Sequence, residues 1–161
     1  MARCKNKYTL PLNKKDISHW HKKSSPAHKG SLKHSLDFFV ENGCRIYAAQ
    51  NGVVTWTKDN SNKHGTGKKY TNLGNRIVIK HKNDEYSAYE HLKCKGVFVR
   101  KGQKVKKGQF IGLTGMTGWI NQPHLHFEVF NNLSSNKSEG ETLQVFFKIK
   151  RKGRCNPNCY R

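Results

Sequence analysis

The chain has 161 residues, 34% of them hydrophobic, and a formal net charge of +21 from 31 Lys and Arg against 10 acidic residues. This length allows one domain with a modest core. Aromatic and β-branched residues in the middle of the chain favour a folded domain over a disordered protein. The charge attracts polyanions such as nucleic acid, anionic lipid and envelope polymers, but a field screened by salt selects no chemistry.

The composition divides the chain into three parts. Residues 1–24 are basic and polar, so we expect an N-terminal extension there, and residues 149–161 form a basic C-terminal tail. Residues 25–148 carry the apolar segments of the domain. The first residues contain no apolar run, so we expect no signal peptide and no transmembrane segment in this chain. Because there are five cysteines, at least one is unpaired within the chain.

Short apolar segments follow one another from about residue 36. They are rich in Val, Ile and aromatic residues, and Gly, Asn and Lys turn signals separate them, as in 45–49, 52–56 and 76–80. No stretch shows a sustained helical period. The pattern therefore predicts a mostly β fold, a single small domain of antiparallel sheets.

The histidines of the segment Pro123-His124-Leu125-His126-Phe127-Glu128-Val129 share one face if the segment is a strand, because side chains two residues apart point to the same side. Two imidazoles on one face can place one nitrogen on a metal and the other beside the metal's water. His91 ends another predicted strand. Asp37 is a carboxylate within an apolar strand and needs a partner, either a metal ion or one of the many lysines.

Several motifs in colinear order over residues 28–130 resemble the M23 (lysostaphin-like) family of zinc metallopeptidases. They are Leu36-Asp37-Phe38, Asn51-Gly52-Val53-Val54, Gly74-Asn75-Arg76-Ile77-Val78-Ile79, Tyr89-Glu90-His91-Leu92, Val105-Lys106-Lys107-Gly108-Gln109 and Pro123-His124-Leu125-His126-Phe127-Glu128. The resemblance implies a β-sandwich with a half-barrel related to lipoyl-like folds. It also implies one catalytic Zn²⁺ per chain and an endopeptidase domain at residues 25–148.

The resemblance assigns roles to the polar residues by position. Asp37 and His126 correspond to zinc ligands, His124 to the histidine that takes a proton from the zinc-bound water, and His91 to the one that stabilises the oxyanion.

The third zinc ligand is open between two histidines. Many members have a His four residues before the Asp, where this chain has Lys33. We expect His28, which lies in a loop and can be aimed freely, with His34 as the alternative. In an extended strand His34 would face away from Asp37, because the two residues are three apart.

The sequence thus predicts a zinc-dependent endopeptidase that hydrolyses peptide bonds in the stem peptides or cross-bridges of bacterial peptidoglycan. The alternative is a catalytically inactive M23-like module that binds the wall or activates another hydrolase. A specific nucleic-acid reader is not expected, because no recognition helix or finger motif is present.

We expect a monomer that acts outside the cell or in the envelope. Anionic envelope polymers are possible further partners. That hypothesis, suggested by the charge, fails if wall binding is insensitive to salt.

Overall fold

The computed structural model describes residues 3–21, 28–131 and 141–147. Within them lie twelve strands and four short 3-10 helices. The strands are β1 (His19–His21), β2 (Leu36–Phe39), β3 (Arg45–Tyr47), β4 (Gly52–Lys58), β5 (His64–Gly65), β6 (Arg76–Lys80), β7 (Glu85–Glu90), β8 (Leu92–Val97), β9 (Lys104–Val105), β10 (Phe110–Thr114), β11 (Gly118–Trp119) and β12 (His124–Asn131). The 3-10 helices are Lys14–Asp16, Gly30–Leu32, Lys68–Leu73 and Lys82–Asp84. None of the helices in these ranges has the length and hydrophobicity needed to cross a membrane.

Two antiparallel sheets make up most of the fold. The larger has seven strands in the order β1-β2-β12-β7-β6-β4-β9, and the smaller has the order β3-β10-β8. A parallel pair of two-residue strands, β5 and β11, joins the loop after β4 to the segment after β10. The predicted fold class, mostly β with antiparallel sheets, is confirmed.

One main hydrophobic core connects both sheets. It contains Ile46 and Ile111 from the smaller sheet and Phe38, Leu125 and Phe127 from the larger, all of them fully buried. Because side chains alternate along a strand, the residues between these core positions point to the other face of the seven-stranded sheet. That opposite face carries the histidines singled out in the sequence.

The N-terminal segment is part of this folded unit. Its strand β1 extends the large sheet by pairing with β2, and Tyr8 and Leu12 are buried in the main core. The predicted tail at 149–161, with Cys155 and Cys159, lies outside the described residues. Of the cysteines in the described ranges, Cys4, Cys44 and Cys94 are free thiols, and each is partly buried.

The buried carboxylate of Glu85, at the start of β7, anchors the N-terminal segment. It accepts hydrogen bonds from the backbone N–H of Lys5 and of Asn6 (3.1 Å), from Asn6 Nδ2 (2.7 Å) and from the Tyr8 hydroxyl (3.0 Å). Its single negative charge therefore serves several donors at once, in a place that is closed to water.

We expect Glu85→Gln to lower the free energy of unfolding by about 2 kcal/mol, because the amide leaves donors facing a donor in a buried site. The matched control is Asp84→Asn, which removes the same charge from an exposed neighbour that forms a surface ion pair with Lys80. That control should stay within about 0.5 kcal/mol of wild type. Urea unfolding measures both, and equal losses would show that Glu85 is not the anchor.

Candidate metal centre and active site

Asp37 and His126 face each other across two neighbouring strands. They are direct partners in the antiparallel register of β2 and β12, and the distance from Asp37 Oδ1 to His126 Nδ1 is 2.9 Å. Both side chains are largely buried. In the same register His124 is opposite Phe39, so its ring lies one step along the same face.

His28 completes a cluster of three polar groups. Its Nε2 lies 3.2 Å from Asp37 Oδ1 and 3.3 Å from His126 Nδ1. The residue precedes the 3-10 helix Gly30–Leu32, whose first residue has φ of +57°, a conformation that glycine adopts without strain. The segment thereby turns back towards the sheet and brings the imidazole to the carboxylate.

His34, the other candidate ligand, lies outside this cluster. In the described part of the chain, the one set of His, Cys, Asp or Glu side chains close enough to hold a metal ion is His28, Asp37 and His126. The backbone N–H of His34 donates to Thr142 Oγ1 at 3.0 Å, which ties this part of the loop to the C-terminal segment.

The three groups suit a zinc ion. Two imidazole nitrogens and one carboxylate oxygen are a ligand set of catalytic zinc sites, which leaves further positions open. Zinc–ligand bonds of about 2.0–2.2 Å in a tetrahedron place neighbouring ligand atoms roughly 3.3 Å apart. The atoms here are separated by 2.9, 3.2 and 3.3 Å, so little movement is needed.

The protonation of this cluster follows from its hydrogen bonds. Burial acts to raise the pKa of Asp37, but hydrogen bonds from His126 and His28 outweigh it and hold that pKa well below its usual range. Burial lowers the pKa of His126, yet the carboxylates of Asp37 and Glu128 more than compensate and raise it well above 6.5. Without metal, His126 is therefore an imidazolium between two carboxylates, and the proton on Nδ1 occupies the place of a metal ion.

His124 and His91 lie beside the cluster with their rings 4.8 Å apart. Nδ1 of His124 faces the carbonyl of Gln122 at 3.0 Å, and Nδ1 of His91 faces that of Thr117 at 2.8 Å. A carbonyl only accepts, so both Nδ1 atoms carry a proton and both neutral rings have an unprotonated Nε2. That of His124 lies 3.7 Å from Asp37 Oδ1.

His91 adopts a backbone conformation that is uncommon for residues other than glycine. It connects β7 to β8 with φ of 62°, a strain that costs about 1–3 kcal/mol. Hydrogen bonds hold the connection: Asn75 N–H donates to Thr117 Oγ1 (2.9 Å), and Thr117 Oγ1 donates to the carbonyl of Leu92 (2.8 Å). The segment that orients the imidazole of His91 also holds its backbone.

Two features near the site did not follow from the sequence analysis. Glu128, two residues after His126 on the same face of β12, places Oε2 3.5 Å from His126 Nε2. The alternation along β12 could have revealed it. In β1, His19 stacks on Phe39 with ring centroids 4.4 Å apart, and the backbone of His21 pairs with Asp37. A three-residue strand leaves too little pattern to be recognised.

Known proteins of similar sequence identify the family of this chain. The sequence profile of Peptidase family M23 matches residues 31–139. The chain belongs to this family. Two curated proteins similar to this M23 chain are the peptidoglycan DD-endopeptidase ShyA of Vibrio cholerae, 39% identical over 93 residues, and the cell division protein DipM of Caulobacter vibrioides, 29% identical over 129 residues. The matches cover 58% and 80% of this chain but only 19% of each relative, so the chain spans about a fifth of their length.

Solved structures show the same M23 fold. A zinc-containing peptidase from Vibrio cholerae is 30% identical with a TM-score of 0.56, over 77% of this chain and 36% of that one. The catalytic domain of lysostaphin from Staphylococcus simulans is 27% identical with a TM-score of 0.56, over 76% and 87%. The catalytic domain of the prophage-encoded EnpA from Enterococcus faecalis shares the fold at 22% identity and a TM-score of 0.60, over 84% and 93%.

The neutral state of His91 predicts how the stability of the metal-free M23 chain depends on pH. Burial, with the nearby His124, lowers the pKa of His91 from 6.5 to about 4. The unfolded chain then binds a proton that the folded chain does not, so stability is lost as pH falls from about 6.5 towards 4. His91→Asn keeps a donor for the Thr117 carbonyl and tolerates positive φ, but it does not titrate.

Between about pH 7.5 and pH 5, wild type should lose on the order of 1–2 kcal/mol more stability than His91→Asn. Denaturant unfolding of the metal-free proteins at both pH values measures the difference. Parallel losses in the two proteins would mean that His91 has an ordinary pKa.

Proposed function

We propose that this chain is a zinc-dependent endopeptidase that hydrolyses peptide bonds of bacterial peptidoglycan. The observation that carries the proposal is the convergence of His28, Asp37 and His126 within 3.3 Å of one another, with His124 and His91 directly beside them. Three groups could hold the metal while two neutral imidazoles stay available for catalysis. This arrangement suits hydrolysis better than a purely structural metal site, in which four protein ligands close the coordination sphere.

The relatives support peptidoglycan as the substrate. ShyA, ShyB and ShyC of Vibrio cholerae are named peptidoglycan DD-endopeptidases, and this chain is 36–39% identical to them over the matched residues. We therefore propose that it cuts stem peptides or cross-bridges and acts at the cell envelope. The charge of +21 would hold such an enzyme near anionic envelope polymers.

In the proposed hydrolysis, His124 carries out the proton transfers. His28, Asp37 and His126 would hold the zinc, which would supply an acidified water and an electrophilic centre for the scissile carbonyl. His124 accepts the proton of the attacking water at Nε2, because its Nδ1 already donates to the Gln122 carbonyl. The imidazolium so formed can pass that proton to the leaving amine.

His91 is proposed to stabilise the oxyanion of the tetrahedral intermediate. Since Nδ1 donates to the Thr117 carbonyl, His91 can donate a second hydrogen bond only when Nε2 also carries a proton. Burial opposes that state, as the low pKa of about 4 indicates. The negative charge that develops in the transition state would supply the compensating attraction.

The first test measures zinc content and cleavage of purified peptidoglycan for wild type, His28→Ala and His34→Ala. Wild type should hold about one zinc per chain and release peptide amines. His28→Ala should lose both properties, while His34→Ala, the same change six residues further on, should keep both. Zinc loss in His34→Ala alone would refute the ligand set. A wild type without zinc or activity would leave the chain a wall-binding or hydrolase-activating module.

The second test separates the roles of the other two histidines. His124→Ala should keep its zinc while kcat falls roughly 10²- to 10⁴-fold, because the proton acceptor is lost. His91→Ala should reduce kcat roughly 10²- to 10³-fold, whereas His91→Gln should retain more activity, since its amide offers a donor near the position of Nε2. Equal activity of the Ala and Gln variants at position 91 would argue that His91 accepts protons instead.

A further inference from the structure

Behind the cluster, on the side away from Asp37, His126 faces a second carboxylate. Among the described residues, His126 Nε2 has one ion-pair partner, Glu128 Oε2 at 3.5 Å. The side chain of Glu128 is only 1% exposed, so this carboxylate is removed from water. A buried charge at this place needs a reason, because burying it costs several kcal/mol unless partners compensate.

The protonation state of His126 as a metal ligand explains why a carboxylate is buried at position 128. Nδ1 faces Asp37 and His28 and is therefore the atom directed at the metal position. An imidazole that gives its Nδ1 lone pair to a metal carries its proton on Nε2. That N–H requires an acceptor, and an ionised carboxylate can only accept. Glu128 is thus placed where it favours the one tautomer that leaves Nδ1 available.

Glu128 is itself held from two directions. The hydroxyl of Ser35, next to the start of β2, donates to Oε2 at 2.8 Å, so the oxygen facing His126 is fixed between two strands. The guanidinium of Arg76 on β6 lies 3.8 Å from Oε1. Arg76 is closer to Glu90, at 3.2 Å from Nε to Oε1. A mere counter-ion for Arg76 would not need the Ser35 bond or the orientation towards His126, since Glu90 already meets that charge.

We propose that Glu128 is a positioning residue that fixes His126 with its proton on Nε2, and that Ser35 holds Glu128 in place for this purpose. The inference rests on the proposed function only in that His126 is taken as a metal ligand. It adds a residue that acts through His126 and that touches neither metal nor substrate.

The test is zinc affinity, measured by competition with a chromophoric chelator, for wild type, Glu128→Gln and Glu90→Gln. With its carbonyl towards Arg76, the glutamine turns its NH₂ towards His126 Nε2 and favours the tautomer with the proton on Nδ1. The zinc dissociation constant should rise roughly 10- to 100-fold.

Glu90→Gln is the matched control. Glu90 is the Cα partner of His126 and pairs with the same Arg76. Among the described residues, however, no hydrogen bond or ion pair connects Glu90 to His126 Nε2. Because Glu90 acts on His126 only through its nearby charge, its dissociation constant should rise less than that of Glu128→Gln.

A spectroscopic signature distinguishes orientation from general stability. In the zinc-loaded wild type, the His126 Nε2–H proton should resonate far downfield in NMR spectra because it is hydrogen-bonded to a carboxylate. The resonance should move upfield or broaden in Glu128→Gln and stay in place in Glu90→Gln. If Glu128→Gln does not fold, Ser35→Ala serves instead, with a smaller rise in the zinc dissociation constant and a smaller shift of the same resonance.

The outcomes separate this inference from the proposed function. If wild type binds zinc and both glutamine variants bind it equally well or equally poorly, the positioning role of Glu128 is overturned while the enzyme proposal stands. If wild type binds no zinc, both proposals fail together. A loss confined to Glu128→Gln, with the NMR shift, supports the positioning role.

Discussion

The antiparallel register between β2 and β12 is the constraint on which the whole site depends. It makes Asp37 and His126 direct partners on one face while Phe38 and Leu125 pair on the other. A slip of one residue would exchange the two faces and place imidazoles in the main core. Burial of each of these core side chains contributes about 2–3 kcal/mol, so the register that forms the core also forms the candidate metal centre. Stability and site geometry are therefore set by the same pairing.

Alternation along strands is local information, and it explains how much of the site could be predicted. It placed His124 and His126 on a common face and marked Asp37 as a carboxylate that needs a partner. For the third ligand, the same rule placed His34 on the opposite side of an extended strand from Asp37, but it could not show that His28 reaches the site. His28 reaches the site through a loop, and the backbone of His34 is tied to Thr142, a contact over 108 residues. Such contacts have no signature in a short window.

The contacts of the N-terminal segment could not be predicted for the same reason, because its partners are far away in sequence. The prediction of a mostly β fold follows from apolar segments with turn signals between them, and residues 1–24 hold only scattered apolar residues. Nevertheless the segment places Tyr8 in the core and β1 at the edge of the large sheet. Its attachment depends on Glu85, which lies 77 to 80 residues away in sequence from its donors. Composition described the segment as an extension because its partners are elsewhere in the chain.

The few acidic residues of the chain also matter for its structure. Only 10 residues are acidic, and three of them, Asp37, Glu85 and Glu128, are buried with specific partners. Acidic side chains are thus concentrated where the fold or the site needs them. The surface is left strongly basic as a consequence. A net positive surface and buried carboxylates at the site are then two results of one distribution of acidic residues.

The hydrogen-bond acceptors around His91, His124 and His126 differ, and this difference separates the proposed chemical roles of the three side chains. His91 and His124 each donate from Nδ1 to a neutral backbone carbonyl, and burial favours their neutral state. His126 lies between two carboxylates, which favour a positive charge there. A metal ion can supply that charge in place of a proton. Neutral acceptors thus leave two rings available for the proposed catalytic roles, and charged acceptors suit the third to the proposed binding of a cation. The same side chain acquires two functions because the fold offers it two kinds of hydrogen-bond partner.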